Sequence, residues 1–128
     1  MKILHIGKKG NVHRFSHSHY LELSFDLVEC DSGLSDEDYL KDGWDADFII
    51  VDAMTKVSGS LIEKMPKLKM IHSEGVGYNF IDLETARNKK VYVCNCKGVN
   101  ASAVAEQTLL LMLGVLRNVV IGDQAVRN

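Results

Sequence analysis

The stretch DFIIV, residues 47–51, is apolar at every position after its aspartate. A run of this kind is what a β-strand covered on both faces carries. Outward from it, four more short strands are expected, at residues 2–6 (KILHI), 25–30, 68–72 and 91–95. Helical segments fall between them. Residues 13–23 read as a helix with Phe15, Leu21 and Leu23 as apolar contacts. Residues 35–41 have Ser35 at the N-cap and acidic residues in the first turn. A third helix starts at Ser58 or Ser60 and runs through Met65, where Pro66 stops it, and a fourth covers 82–89. Alternation of this kind predicts an α/β fold, a parallel five-stranded sheet with helices on both faces. Right-handed crossovers leave a flavodoxin-like or Rossmann-like strand order. In either order ligands collect at the carboxyl ends of the strands, which places Gly7, Ser32, Asp52, Ser73 and Asn95 along one edge.

Composition narrows the function classes. The chain has 128 residues, 46% hydrophobic and 25% charged, with a net charge of −2. It is long enough to bury a core. Its Lys and Arg are spread along the chain, so no nucleic-acid face is expected. The opening MKILHIGKKG has too short an apolar run for a signal peptide, and a cytoplasmic protein is expected. Cys30, Cys94 and Cys96 form no CxxC pair and read as buried, reduced thiols.

The stretch SEGVGYNFID, residues 73–82, raises the question of function. It interrupts regular structure and leaves many backbone N–H groups to be satisfied. A phosphate grip, a carboxylate grip and a plain tight turn are the three answers. A dinucleotide fingerprint needs G-x-G-x-x-G, and here Phe80 stands where the third glycine belongs. The loop GKKGNVH lacks the hydroxyls of a flavin phosphate loop. A response-regulator receiver would use Asp52 as phosphoacceptor, with Ser73 and Lys97 as switch residues. Its Mg²⁺ needs hard oxygen ligands, and Lys8 and Lys9 stand where the acidic pair should be. In HRFSHSH, His13 and His17 share a helix face with His19 round the side, and no acidic residue precedes Glu22. These read as solvated surface histidines, and no metal is expected.

The final element, NASAVAEQTLLLMLGVLRN at 100–118, reads as a helix with Asn100 at its N-cap. Nineteen residues span about 28 Å. Leu109, Leu110, Leu111, Met112, Leu113, Val115 and Leu116 point in nearly every direction around the axis. A helix apolar all round is buried all round. Glu106, Gln107 and Arg117 trim the apolar run below the ~20 residues of a membrane span. A covering partner is therefore expected, a second domain or a second subunit.

The stretch from Leu68 to Asn118 closely resembles the D-isomer-specific 2-hydroxyacid dehydrogenases, and residues 1–66 resemble them in outline. The matching pieces are Gly75-Val76-Gly77, the Ile81-Asp82 step, the Ala86 helix, the strand at Val91, and Asn100 with Val104-Ala105-Glu106. The resemblance implies a flavodoxin-like substrate-binding domain over 1–98. It also implies a linking helix over 99–128 that belongs to an NAD-binding domain. It implies that Gly75, Val76, Gly77 and Tyr78 bind the substrate, with the N–H groups of Val76 and Gly77 on its carboxylate. Glycines at 75 and 77 would supply positive φ and close approach. Asn79 is expected as a turn residue, and Asn100 and Val104 would lie near the cofactor. The cofactor would be NAD or NADP in the complete enzyme, with none bound by this fragment. The family's catalytic Arg, Glu and His are expected beyond residue 128, so His5, His13, His17, His19 and His72 carry no catalytic assignment. The implied function is the substrate-binding part of an oxidoreductase interconverting 2-hydroxy and 2-oxo acids, inactive alone and a homo-oligomer through the 100–118 helix. The alternative is a flavodoxin-like signalling module such as a degenerate receiver.

Overall fold

The computed structural model describes residues 1–15 and 24–127. The chain divides into two compact units, Met1–Lys97 and Gly98–Asn128. The first holds strands β1 (Lys2–Ile6), β2 (Asp26–Cys30), β3 (Phe48–Val51), β4 (Met70–Ser73) and β5 (Tyr92–Asn95). Between them run helices α1 (Asn11–Phe15), α2 (Asp36–Gly43), α3 (Gly59–Glu63) and α4 (Leu83–Asn88). All strand pairs are parallel, in the order β2-β1-β3-β4-β5. That is the flavodoxin-like order of the two that the alternation allowed.

The register explains the core. Leu4 and Ile6 align with Ile49 and Val51, which align with Ile71 and Ser73. Side chains alternate along a strand, so this set shares one face. All six are buried, and Tyr39, Leu61, Ile62, Met65 and Ala86 join them. The helices on this face begin where short polar side chains satisfy their free N–H groups. Ser35 and Asp38 form a reciprocal capping box on α2. Ser58, rather than Ser60, caps α3 by accepting from Leu61 N–H. Asp82 caps α4 by accepting from Thr85 N–H at 2.9 Å.

Several boundaries and environments differ from expectation. The helix expected at 13–23 is described only as Asn11–Phe15; the contacts assigned to Leu21 and Leu23, and His17 and His19, lie outside the described residues. β4 begins at Met70 because Leu68 N–H turns back to Met65 O. Cys94 is exposed and Cys30 and Cys96 are half-buried, so the thiols are free but not buried together. Cys96 lies past the end of β5.

In the second unit, α5 covers Ala101–Leu116 and α6 covers Val119–Arg127. Asn100 occupies the N-cap position of α5 but makes no capping bond through its side chain. Its φ of −110° and ψ of 9° are not the extended backbone that aims a capping oxygen. The segment 99–128, expected as one linking helix with its apolar stretch at 100–118, holds two helices instead. Asn118, at φ 51°, separates the helices, and asparagine tolerates that left-handed position. Leu109 through Leu113, with Val115 and Leu116, are all more than half exposed within this chain. Among the described residues no single helix is long and apolar enough to cross a membrane. The pair α5 and α6, bent by 62°, passes that test of length and composition only when taken together.

Candidate functional site

The carboxyl ends of the strands form the candidate site. Ser73 ends β4 level with Val51 and Asn95. Beyond it, residues 74–80 form no helix or strand. The chain rejoins the fold at Ile81, which bridges to Val57 and is buried. Within this turn three consecutive carbonyls are held. Gly75 O accepts from Cys96 N–H at 2.9 Å. Val76 O accepts from the Asn95 side-chain amide at 2.6 Å, and Gly77 O accepts from the Ser73 hydroxyl at 2.7 Å. The N–H groups of Val76, Gly77 and Tyr78 donate to no group among the described residues. Val76 and Tyr78 are 42% and 47% exposed, so the turn is open to solvent.

The glycines differ from expectation in their backbone conformation. Neither Gly75 nor Gly77 has positive φ; among the described residues the positive-φ ones are Gly10, Gly33, Gly98, Lys90 and Asn118. Close approach does hold at Gly75, where a Cβ would come within 2.4 Å of Ala53 Cβ. At Gly77 a Cβ would meet nothing within 4 Å, which leaves room for a ligand to approach the backbone. Tyr78 lines a shallow pocket of about 230 Å³ with Leu83, Val93 and Asn95. Asn79 is exposed and lies in the turn. Asn100 and Val104 lie in the second unit, one helical turn apart, with Val104 N–H donating to Asn100 O at 2.9 Å.

Asp52 does not stand ready as a phosphoacceptor. Its Oδ1 accepts from the N–H groups of Met54 and Thr55, each at 2.8 Å. Its Oδ2 accepts from Thr55 Oγ1 at 2.9 Å and from the Ser32 hydroxyl. Burial alone would raise its pKa. The hydrogen bonds from Ser32, Met54 and Thr55 outweigh that and hold it below the ordinary aspartate value. After β1, Lys9 lies 3.7 Å from Asp31 where a receiver would hold its cation. The receiver alternative therefore has, at Asp52, a carboxylate whose two oxygens are already engaged. Among the described residues no group of three or more His, Cys, Asp or Glu is placed to hold a metal.

Sequence reasoning missed two clusters. His5 is fully buried, and neither ring nitrogen makes a hydrogen bond. Glu29 lies 3.5 Å from Nδ1 and Glu74 lies 3.4 Å from Nε2. The signal was a histidine inside the apolar run KILHI, aligned with Glu29 once β1 and β2 are in register. The second is Cys96, whose Sγ lies 3.6 Å from His72 Nε2.

The fold and this turn define an α/β domain that presents main-chain donors at its ligand edge. Residues 6–127 match the D-isomer specific 2-hydroxyacid dehydrogenase family, catalytic domain, and the chain belongs to that family. It is 42% identical over 92 residues to D-3-phosphoglycerate dehydrogenase of Methanocaldococcus jannaschii, covering 72% of this chain and 18% of that protein. It is 38% identical over 84 residues to glyoxylate reductase of Thermococcus litoralis, covering 66% of this chain and 25% of that one. A solved NAD-dependent formate dehydrogenase from Staphylococcus aureus, in complex with NAD, superposes with a TM-score of 0.76 at 25% identity, over 99% of this chain and 41% of that one. The chain thus spans a quarter or less of the length of these two curated relatives.

Proposed function

We propose that this chain is the substrate-binding part of an NAD(P)-dependent oxidoreductase that interconverts 2-hydroxy and 2-oxo acids. Gly75, Val76, Gly77 and Tyr78 form the grip for the acid's carboxylate. The single observation that carries this is the run of unpaired N–H groups at Val76, Gly77 and Tyr78, exposed at the carboxyl edge of a parallel sheet. Main-chain donors of this kind hold an anion without a metal or a titrating side chain.

The turn does not fit the pyrophosphate of a dinucleotide. Phe80 stands where a third glycine would let helix and strand approach. The next helix is capped by the carboxylate of Asp82, which accepts from its Thr85 N–H and repels a phosphate. NAD or NADP therefore serves the complete enzyme at residues other than this turn. In this proposal residues 1–98 bind the substrate, residues 99–128 belong to the cofactor domain, and Asn100 and Val104 lie near the cofactor. None of the described residues is given a proton-transfer role. The protein works in the cytoplasm.

Hydride-transfer assays test the assignment. The 128-residue chain is expected to show no turnover with 2-oxo acids and NADH or NADPH, and adding a cofactor domain is expected to restore it. Turnover by the chain alone would overturn the division of labour. The solvent-facing apolar surface of α5 supports pairing through the 100–118 helix. Sedimentation is expected to show a dimer or larger species, and a clean monomer at high concentration counts against that pairing.

A further inference from the structure

We infer that Ser73 and Asn95 are positioning residues that set the direction of the anion-binding N–H groups. The inference rests on the carboxylate-grip proposal above and names what makes the grip work.

A peptide unit is planar, and in the trans form its C=O and N–H point opposite ways. None of the described peptide bonds is cis. Fixing a carbonyl therefore fixes where the next residue's N–H points. The unit joining Gly75 to Val76 is held by Cys96 N–H. The unit joining Val76 to Gly77 is held by the Asn95 amide, and the unit joining Gly77 to Tyr78 by the Ser73 hydroxyl. All three anchors come from the ends of β4 and β5. Each of the three unpaired N–H groups is thus turned away from the anchor that holds its own peptide plane.

Successive N–H groups form such a grip in an αR–αL pair or in a turn, and this turn has no left-handed residue. Main-chain bonding holds only one of its three peptide planes, the one tied to Cys96 N–H. Two side chains hold the other two planes where the dihedrals set them. Ser73 is 1% exposed, on the sheet face that buries Leu4, Ile6, Ile49, Val51 and Ile71. A hydroxyl there costs free energy unless it is bonded. Its bonds run to the turn: it donates to Gly77 O, and its oxygen lies 3.4 Å from the Gly75 N–H. Asn95 sits level with Ser73 on the neighbouring strand and reaches the middle plane. An aspartate of the same shape would set a carboxylate against the Val76 carbonyl and release that plane.

Amide NMR on the whole 128-residue chain, titrated with glycolate and with uncharged acetamide as control, tests this. In the parent, the Val76, Gly77 and Tyr78 signals are expected to shift saturably with glycolate alone. Asn95→Asp and Ser73→Ala are expected to raise the dissociation constant at least about tenfold. Signals of the core residues Ile49 and Leu61 should stay in place, which loss of folding would not allow. Should Ser73→Ala fail to fold, Asn95→Asp decides, since Asn95 is only half-buried at the end of its strand. Unchanged glycolate affinity in a folded Asn95→Asp variant would overturn the positioning role while leaving the grip intact. A parent whose turn amides do not respond to glycolate would overturn the grip and the positioning role together.

Discussion

The loops after β3 and β4 stand side by side on one edge of the sheet and treat their backbone donors in opposite ways. After β3, Asp52 folds its own carboxylate over the N–H groups of Met54 and Thr55. After β4 no carboxylate does this. Glu74, the nearest acid, lies against His5 instead, and the carbonyls rather than the N–H groups are tied down. The first loop carries an internal carboxylate and is closed to anions. The second has the donors without the carboxylate and is open to one from outside. Adjacent loops of one fold thus become a structural turn or a binding turn according to which half of the peptide unit the protein satisfies itself.

The largest effect is expected where the two loops touch. Gly75→Ala places a methyl within 2.4 Å of Ala53 Cβ, on backbone that cannot swing aside as a long side chain would. Overpacking of this kind costs about 1–3 kcal/mol. Urea denaturation should show a lower midpoint, and glycolate binding should weaken because the anchored carbonyl moves with its residue. A variant as stable as the parent would mean that the loops do not pack as described.

A smaller loss is expected from opening the closed loop. Asp52→Ala strips two N–H groups of their acceptor, for about 1 kcal/mol. The loss depends on pH in a defined direction. Asp52 is held below the ordinary aspartate value in the folded chain, so it favours folding most above that value. Its contribution fades as pH falls through the lowered value. The gap between parent and variant midpoints should therefore be full near neutral pH and should close on acidification. A gap that widened in acid would contradict the hydrogen bonds assigned to the carboxylate.

The sheet was legible because a buried parallel strand has to be apolar, and FIIV and its neighbours are. The cap at Ser35, and Ser58 as one of two candidates, were legible because a helix start makes a local demand on one short side chain; Asp82, read as the first residue of its helix, is the cap that precedes it. The turn at 75–78 was legible as a place, but the backbone conformation of its glycines was not. Glycine at 75 and 77 is compatible with positive φ or with close packing. Only Ala53, more than twenty positions away, shows that packing governs the first of them. The anchors Ser73 and Asn95 look like ordinary strand-end residues until β4 and β5 are in register. The same holds for Glu29, His5 and Glu74, which meet only through three separate elements. The exposure of Cys94 follows from its place on β5, an edge strand among the described residues, which spacing alone does not give.

The smallest effect on stability, and the sharpest on function, belongs to Gly77. A Cβ there meets nothing within 4 Å and the residue has no positive φ to lose, so the fold is expected to tolerate a side chain. Gly77→Val should change the free energy of unfolding by less than about 0.5 kcal/mol, as an exposed substitution does. The same open space is where an acid group would approach the N–H groups of Gly77 and Tyr78. The valine methyls fill it, so glycolate affinity should fall by roughly tenfold or more. Gly75→Ala and Gly77→Val then separate the two uses of glycine in one turn: the first loses stability and binding together, the second loses binding alone. If Gly77→Val bound glycolate as tightly as the parent, the open side of the turn would not be the side that receives the ligand.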